Sequence, residues 1–325
     1  MSSFGLKTES SEVVQAFASR VQGRTFLVTG ASVNGLGAAI AIALAQESPE
    51  HIILVGRTKA KIDPVVEEIS KVNPKVKATF AQCELSDFDS VRRAAAAILD
   101  DEDIAKIDVI INNAGVMAVS EYSRDKQGNE LQLSSNHLGH FLLTNTLMPK
   151  VLAAGPGSRI VNTTSRGHKV GPFRFDDYNF SDGRAYEPWT AYGQSKTANI
   201  LYSVELARRL ADRGIRSYAV HPGGILTTGL ASHLELESLA DIPAISERNN
   251  GWRSFPPLDP AKFKTASQGA ACELAAALDP SFDDRSGSYV LDCQIGEALD
   301  YATDAGNAQK LWILSEELVG QKFDI

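Results

Sequence analysis

Cysteine is scarce in this chain of 325 residues: Cys83, Cys272 and Cys293 lie far apart and form no C-x-x-C pair. An odd, scattered set suits a reducing compartment better than a disulfide framework. No apolar run approaches the ~20 residues that cross a bilayer, so no membrane span is expected. The first residues hold no apolar h-region, so no signal peptide is expected. The closing stretch, Gln321 to Ile325, matches no targeting or lipidation signal, and the expected location is cytoplasmic. Positive charge is not in excess. Lys and Arg number 32 against 40 Asp and Glu, a net charge of −8, which disfavours nucleic acid and anionic membrane as partners. Internal repeats and Pro/Ser-rich linkers are absent as well.

What is present is alternation. Short apolar runs at 25–29, 51–55, 76–81, 107–111, 159–161, 216–220 and 288–291 read as buried strands. Helical patterns fill the intervals at 38–45, 59–71, 87–99, 131–152, 192–210, 261–278 and 308–318. This predicts an α/β fold: a doubly wound parallel sheet of about seven strands with helices on both faces. Ligands then sit at the carboxyl ends of the strands. A single domain over 23–320 is expected, with a polar lead at 1–22 and a tail at 321–325. Segments 167–189 and 227–260 exceed ordinary connections and read as substrate loops. Phe173, Phe175, Tyr178, Phe180, Tyr186 and Trp189 in the first, and Leu234, Leu236, Leu239 and Trp252 in the second, suit a bulky apolar substrate or simply pack the loops.

The carboxyl ends carry the chemistry. The first strand runs into Gly30, Gly35 and Gly37 ahead of a helix, where a diphosphate can approach the backbone and the helix N-terminus. The second strand ends in Val55-Gly56-Arg57 with no acid. Arg57 there suits a ribose 2′-phosphate and favours NADP over NAD. Ser134-Ser135-Asn136-His137 is a polar cluster inside a helical pattern. His137 and His140 share a helix face but have no third ligand at suitable spacing, so no metal is expected. His221 reads as packing at a strand end, and His168 as a loop histidine. Tyr192 and Lys196 are four apart on one helical face. A neighbouring ammonium favours the phenolate, so Lys196 is expected to lower the Tyr192 pKa and fit it for proton transfer.

Taken together, Asn112-Asn113-Ala114-Gly115, the run Asn136 to Thr144, Arg159-Ile160-Val161-Asn162, Tyr192-x-x-x-Lys196 and His221-Pro222-Gly223 resemble the short-chain dehydrogenase/reductase family, more narrowly its retinol-dehydrogenase-like members. The likeness spans Gly23 to about Gly320. It implies a Rossmann fold, bound NADP(H), and hydride transfer to or from a carbonyl or alcohol, here a bulky apolar ketone or aldehyde. By position, Tyr192 would be the general acid/base. Lys196 would tune Tyr192 and hold the nicotinamide ribose, Ser165 would bind the reacting oxygen, and Asn136 would hold a relay water. Gly30, Asn34, Gly35, Leu36 and Gly37 would take the diphosphate, and Arg57 the 2′-phosphate. Glu84 and Leu85 would meet the adenine, and Asn113, Ala114 and Gly115 the adenosine side. Pro222, Gly223, Ile225 and Thr227 would hold the nicotinamide end.

Three features depart from the family pattern. Four residues rather than three separate Gly30 from Gly35, Glu84 stands where an Asp is usual, and Thr164 precedes Ser165 in place of a Ser-Ser pair. Small-molecule substrates are the expected partners, and a homodimer is compatible with the reading. A sugar-nucleotide epimerase or dehydratase would need a larger C-terminal substrate region than 223–286 offers. A non-catalytic NADP-binding scaffold would have no need for Asn136, Ser165, Tyr192 and Lys196 together.

Overall fold

The computed structural model describes residues 4–231, 239–256 and 259–325; Leu234 and Leu236 of the second loop lie outside them. Its eight strands are β1 Thr25–Thr29, β2 His51–Gly56, β3 Lys77–Gln82, β4 Val109–Asn112, β5 Arg159–Thr163, β6 Arg216–His221, β7 Tyr289–Leu291 and β8 Gln294–Gly296. The helices are α1 Ser10–Ala16, α2 Leu36–Ala45, α3 Lys59–Val72, α4 Phe88–Asp100, α5 Leu131–Leu133, α6 Gly139–Thr146, α7 Met148–Ala154, α8 Pro188–Arg209, α9 Ile242–Asn250, α10 Ala266–Leu278, α11 Asp300–Thr303 and α12 Ala305–Val319. Sheet order is β3-β2-β1-β4-β5-β6-β7-β8. The order reverses between β1 and β4, so a crevice opens at their carboxyl ends.

Strands β1, β2, β4 and β5 are buried on both faces, as their continuous Val/Ile/Leu runs require. Two apolar cores lie on opposite sides of the sheet, one holding α2, α3 and α10, the other α4, α6, α8 and α12. The sequence reading of about seven strands lacked β8. It pairs antiparallel with β7 through a two-residue turn in which Asp292 and Cys293 both take positive φ, 52° and 59°. Neither is glycine, so the hairpin carries no glycine signal of the usual kind. The expected lead contains α1, whose Val13 and Val14 are fully buried and whose Ser10 bonds Ser267 on α10. In the expected tail, Phe323 packs edge-on against Phe141.

Several helices begin where a capping residue dictates rather than where apolar periodicity suggests. Glu187 accepts from the N–H groups of Trp189 and Thr190 and starts α8 at Pro188. Thr265 and Gln268 form a reciprocal box that starts α10 at Ala266. The long helix expected over 131–152 is broken twice. Ser134–Leu138 widens into a π-helical turn, in which Gly139 N–H bonds the Ser134 carbonyl, and Pro149 opens α7 as a separate helix. Such turns recur at functional sites. Gly139 explains how closely the helix approaches the chain after β3: a Cβ there would lie 2.3 Å from the Leu85 carbonyl oxygen. Gly139→Ala is therefore expected to cost about 1–3 kcal/mol of stability. A urea titration reads this as a lower midpoint, and an unchanged midpoint would contradict the contact.

Candidate active site

The crevice at the switch point opens into a cavity of about 1080 Å³. It runs from Arg57, Thr58 and Lys61 past Gly30, Gly35 and Leu36 to Ser165, Tyr192 and Lys196. Its floor at the β1 end depends on glycine. Gly30 has φ +71°, and a Cβ on it would lie 2.8 Å from Ala114 Cα. Gly37 packs behind the turn, where a Cβ would lie 2.7 Å from the Gly30 carbonyl oxygen. Asn113 Nδ2 ties the two strand ends together by donating to the Thr29 carbonyl at 2.8 Å.

The residue that lengthens the turn is absorbed at Asn34, which takes φ 63° and is exposed. Asparagine tolerates this left-handed conformation better than most residues. Two positions expected at the cofactor do not line the cavity. Asn34 stands at the outer tip and does not line the cavity, Gly37 lies behind the wall, and Ser32 and Val33 line it instead. At the other end Thr227 is exposed, and Thr228 is the hydroxyl residue that faces the cavity. Pro222, Gly223 and Ile225 line it as expected, as do Leu85, Ala114 and Gly115. Glu84 lines it too, but its carboxylate lies 3.4 Å from Arg57 Nη1. Both side chains are exposed, 67% for Arg57 and 37% for Glu84, so the pair is weak and leaves the guanidinium open to a stronger anion.

At the inner end α8 crosses the carboxyl ends of β5 and β6. Thr164 Oγ1 donates to the Lys196 carbonyl at 2.7 Å and fixes the helix to the strand end. Lys196 Nζ donates to the Thr163 carbonyl at 3.2 Å and lies 5.6 Å from the centre of the Tyr192 ring. Gly115 leaves room for it, since a Cβ there would lie 3.5 Å from Nζ and 3.0 Å from Asn136 Oδ1. Gly167 stands edge-on to Tyr192, with a would-be Cβ 2.8 Å from Cε1. Ser165 Oγ accepts from Gly167 N–H at 2.9 Å and holds that turn in place.

Burial decides the charge states. It pushes the Tyr192 phenol up to about 12, opposed by the Ser165 hydroxyl. It pushes the Lys196 ammonium down to about 8, opposed by Glu273. Burial thus raises the Tyr192 phenol where a lowering was expected, with the hydrogen bond to Ser165 opposing it.

Asn136 sits in the π-helical turn, fully buried. Its Oδ1 accepts from Val116 N–H at 2.7 Å, and its Nδ2 donates to the Val116 carbonyl and to Ser195 Oγ, both at 2.9 Å. The side chain fastens the β4 extension to α8 and does not line the cavity. His140 continues the connection. Its Nδ1 donates to the Asn136 carbonyl at 3.1 Å, and its Nε2 lies 2.8 Å from Thr29 Oγ1. Burial lowers this imidazole to about 4, so it is neutral and Nε2 accepts from Thr29. Thr29 Oγ1 in turn accepts from Ala114 N–H at 2.9 Å. His137 bonds Ser315 through Nε2 at 2.8 Å among aromatic rings. Among the described residues no three His, Cys, Asp or Glu side chains gather as a metal site. His168 is fully buried against Tyr289 with Nδ1 bonded to the Ser165 carbonyl, so it is neither solvated nor facing the cavity. His221 packs at the end of β6.

Most loop aromatics turn away from the cavity. Phe173, Phe175 and Tyr178 join the core beneath α8, and Phe180 is fully buried, leaving Trp189 at the cavity wall. The apolar lining comes instead from Met117, Val119, Val170, Leu239, Ile242 and Phe255. Met117 and Val119 belong to a stretch with no periodicity, and Phe255 follows a break in any pattern, so the sequence held little sign of either.

The sequence pattern described as short chain dehydrogenase matches residues 24–237. The chain belongs to this family. Mouse retinol dehydrogenase 12 is 34% identical over 305 residues, covering 94% of this chain and 89% of that protein. Human retinol dehydrogenase 11 is also 34% identical, over 94% and 88% of the two chains. Among solved structures, an uncharacterized protein from Mycobacterium paratuberculosis is 32% identical, superposes with a TM-score of 0.70 and covers 94% of this chain and 96% of its own. The short chain dehydrogenase fold thus accounts for nearly the whole sequence. Among the described residues no helix is long and apolar enough to cross a membrane.

Proposed function

We propose that this protein is an NADP(H)-dependent reductase of bulky apolar ketones or aldehydes. The observation that carries the reading is the convergence of Ser165, Tyr192 and Lys196 on one end of a cavity whose other end is open to Arg57. The cavity, about 1080 Å³, exceeds the usual range for a drug-sized ligand and suits a dinucleotide with substrate. Glycines at 30, 35 and 115 let the wall pack closely, since a Cβ on them would lie 2.8 Å from Ala114 Cα, 2.9 Å from the Ser32 carbonyl oxygen and 3.0 Å from Asn136 Oδ1. Gly30, Gly35 and Leu36 would hold the diphosphate, Arg57 the 2′-phosphate, Ala114 and Gly115 the adenosine side, and Pro222, Gly223 and Ile225 the nicotinamide end. The nicotinamide cofactor supplies the hydride when bound.

The protein's own contribution is orientation and a proton. Ser165 binds the carbonyl oxygen. Tyr192, protonated throughout the neutral range, gives its phenolic proton to that oxygen. The Lys196 ammonium, charged at pH 7, steadies the phenolate left behind. Met117, Val119, Trp189, Ile242 and Phe255 exclude water and receive an apolar substrate body. The retinol dehydrogenases that resemble this chain are named for an apolar alcohol, which favours the same class. The test is a panel of ketones, aldehydes, quinones and alcohols with NADPH or NADP⁺, followed at ~340 nm, where reduced nicotinamide absorbs. Turnover of apolar carbonyls with NADPH is the expected result. Consumption of small hydrophilic carbonyls alone would overturn the substrate class.

A further inference from the structure

Glu273 is a carboxylic acid with no place in the sequence motifs. It sits on α10, fully enclosed, with 0% of its surface exposed. A carboxyl in such a position is costly unless its oxygens are partnered. Only one of them is: Oε1 accepts from Thr163 Oγ1 at 2.9 Å, while Oε2 is buried with no partner among the described residues. Thr163 is also the residue whose carbonyl accepts from Lys196 Nζ at 3.2 Å and from Asn199 Nδ2 at 2.9 Å. One residue at the end of β5 therefore stands between an enclosed acid on α10 and the active-site lysine on α8.

We propose that Glu273 is a positioning residue for Lys196: it grips Thr163 from behind the sheet and so fixes the strand-end carbonyl on which the Lys196 ammonium rests. The link is electrostatic rather than a proton wire, because the Thr163 carbonyl can only accept. The groups that act on Glu273 are Cys272 on its own helix, Thr163 on β5 and Lys196 on α8. Lys196 also faces the neutral His140 of α6 and Tyr192 one turn away. Burial raises the Glu273 carboxyl well above its usual range, and Lys196 pulls it back down; the same interaction raises Lys196 against its own burial.

The test replaces the acid by its uncharged isostere. Glu273→Gln keeps an oxygen to accept from Thr163 and removes the charge. The Nζ titration of Lys196 is read in the free protein by ¹⁵N-lysine NMR, the signal assigned with Lys196→Arg. The expected result is a midpoint about one pH unit or more lower in Glu273→Gln than in wild type. Because the catalytic meaning rests on the proposed reductase reading, the alkaline limb of kcat for carbonyl reduction is measured in parallel. It should move down by the same interval, with the thermal midpoint showing both proteins folded. Coincident Nζ titrations in the two proteins would overturn the proposal whatever the activity does. A shifted titration with an unmoved kcat limb would uphold the coupling and count against Lys196's part in the reductase mechanism.

Discussion

Tyr192→Phe is expected to lower kcat for carbonyl reduction by about 10²–10⁴-fold, the usual contribution of a positioned acid or base, with little change in NADPH affinity. The substitution removes one oxygen from a ring that packs against Trp189 at 6.1 Å between centroids and against the backbone at Gly167. The ring stays, so the fold and the cavity wall stay. What goes is the group proposed to give its proton to the carbonyl oxygen. The pH dependence carries the same information. A phenol pushed up to about 12 is protonated across the neutral range, so the reduction rate should not fall for want of its proton between about pH 6 and 8. Oxidation of an alcohol needs the phenolate and should therefore rise with pH over the same interval. Single-turnover rates with NADPH binding followed separately by fluorescence make the distinction. Near wild-type turnover in Tyr192→Phe would remove Tyr192 from the mechanism.

The second large effect concerns the other end of the cavity. Arg57→Ala should reduce kcat/KM with NADPH by about ten- to a hundred-fold, as expected for loss of hydrogen bonds to a charged group of about 1.5–3 kcal/mol. The value with NADH should be nearly unchanged. The geometry favours this outcome because, among the described residues, the Arg57 guanidinium is paired with an exposed Glu84 at 3.4 Å, which a doubly charged phosphate would displace at little cost. Glu84→Gln provides the complementary arm. Releasing Arg57 from its carboxylate should improve NADPH binding modestly, and a loss would assign Glu84 to the adenine instead. An unaltered NADPH-to-NADH ratio in Arg57→Ala would shift the choice of cofactor to Lys61 or Thr58, which line the same end.

Much of this architecture was legible from apolar runs, because strands such as Ile52–Val55 and Val109–Ile111 are buried on both faces and advertise it. Tyr192, Lys196 and Ser165 were legible too, since each stands at a strand end or on a helix face fixed by that alternation. Asn34 and Gly37 were expected at the cofactor but do not line the cavity. Spacing counts residues, whereas a left-handed φ at Asn34 decides which of them face inward. The cavity wall at Met117, Val119 and Phe255 is built from irregular chain, which carries no period to read. Glu273 was hidden differently. In a helix otherwise rich in alanine it looks like an ordinary surface acid, and only the packing of α10 beneath β5 and β6 encloses it.

The hydrogen bonds from Ala114 through Thr29 and His140 to Asn136 and Ser195 join the glycine turn to the helix that bears Tyr192. Each member depends on the next for its partner, so the two ends of the crevice are not energetically independent. Losses caused by substitutions at Thr29 and at His140 will not sum. The first to go disengages part of what the second supports, and the pair together costs less than its parts. On the proposed reading, diphosphate grip and proton transfer, separate in chemistry, would share one thermodynamic unit in this protein.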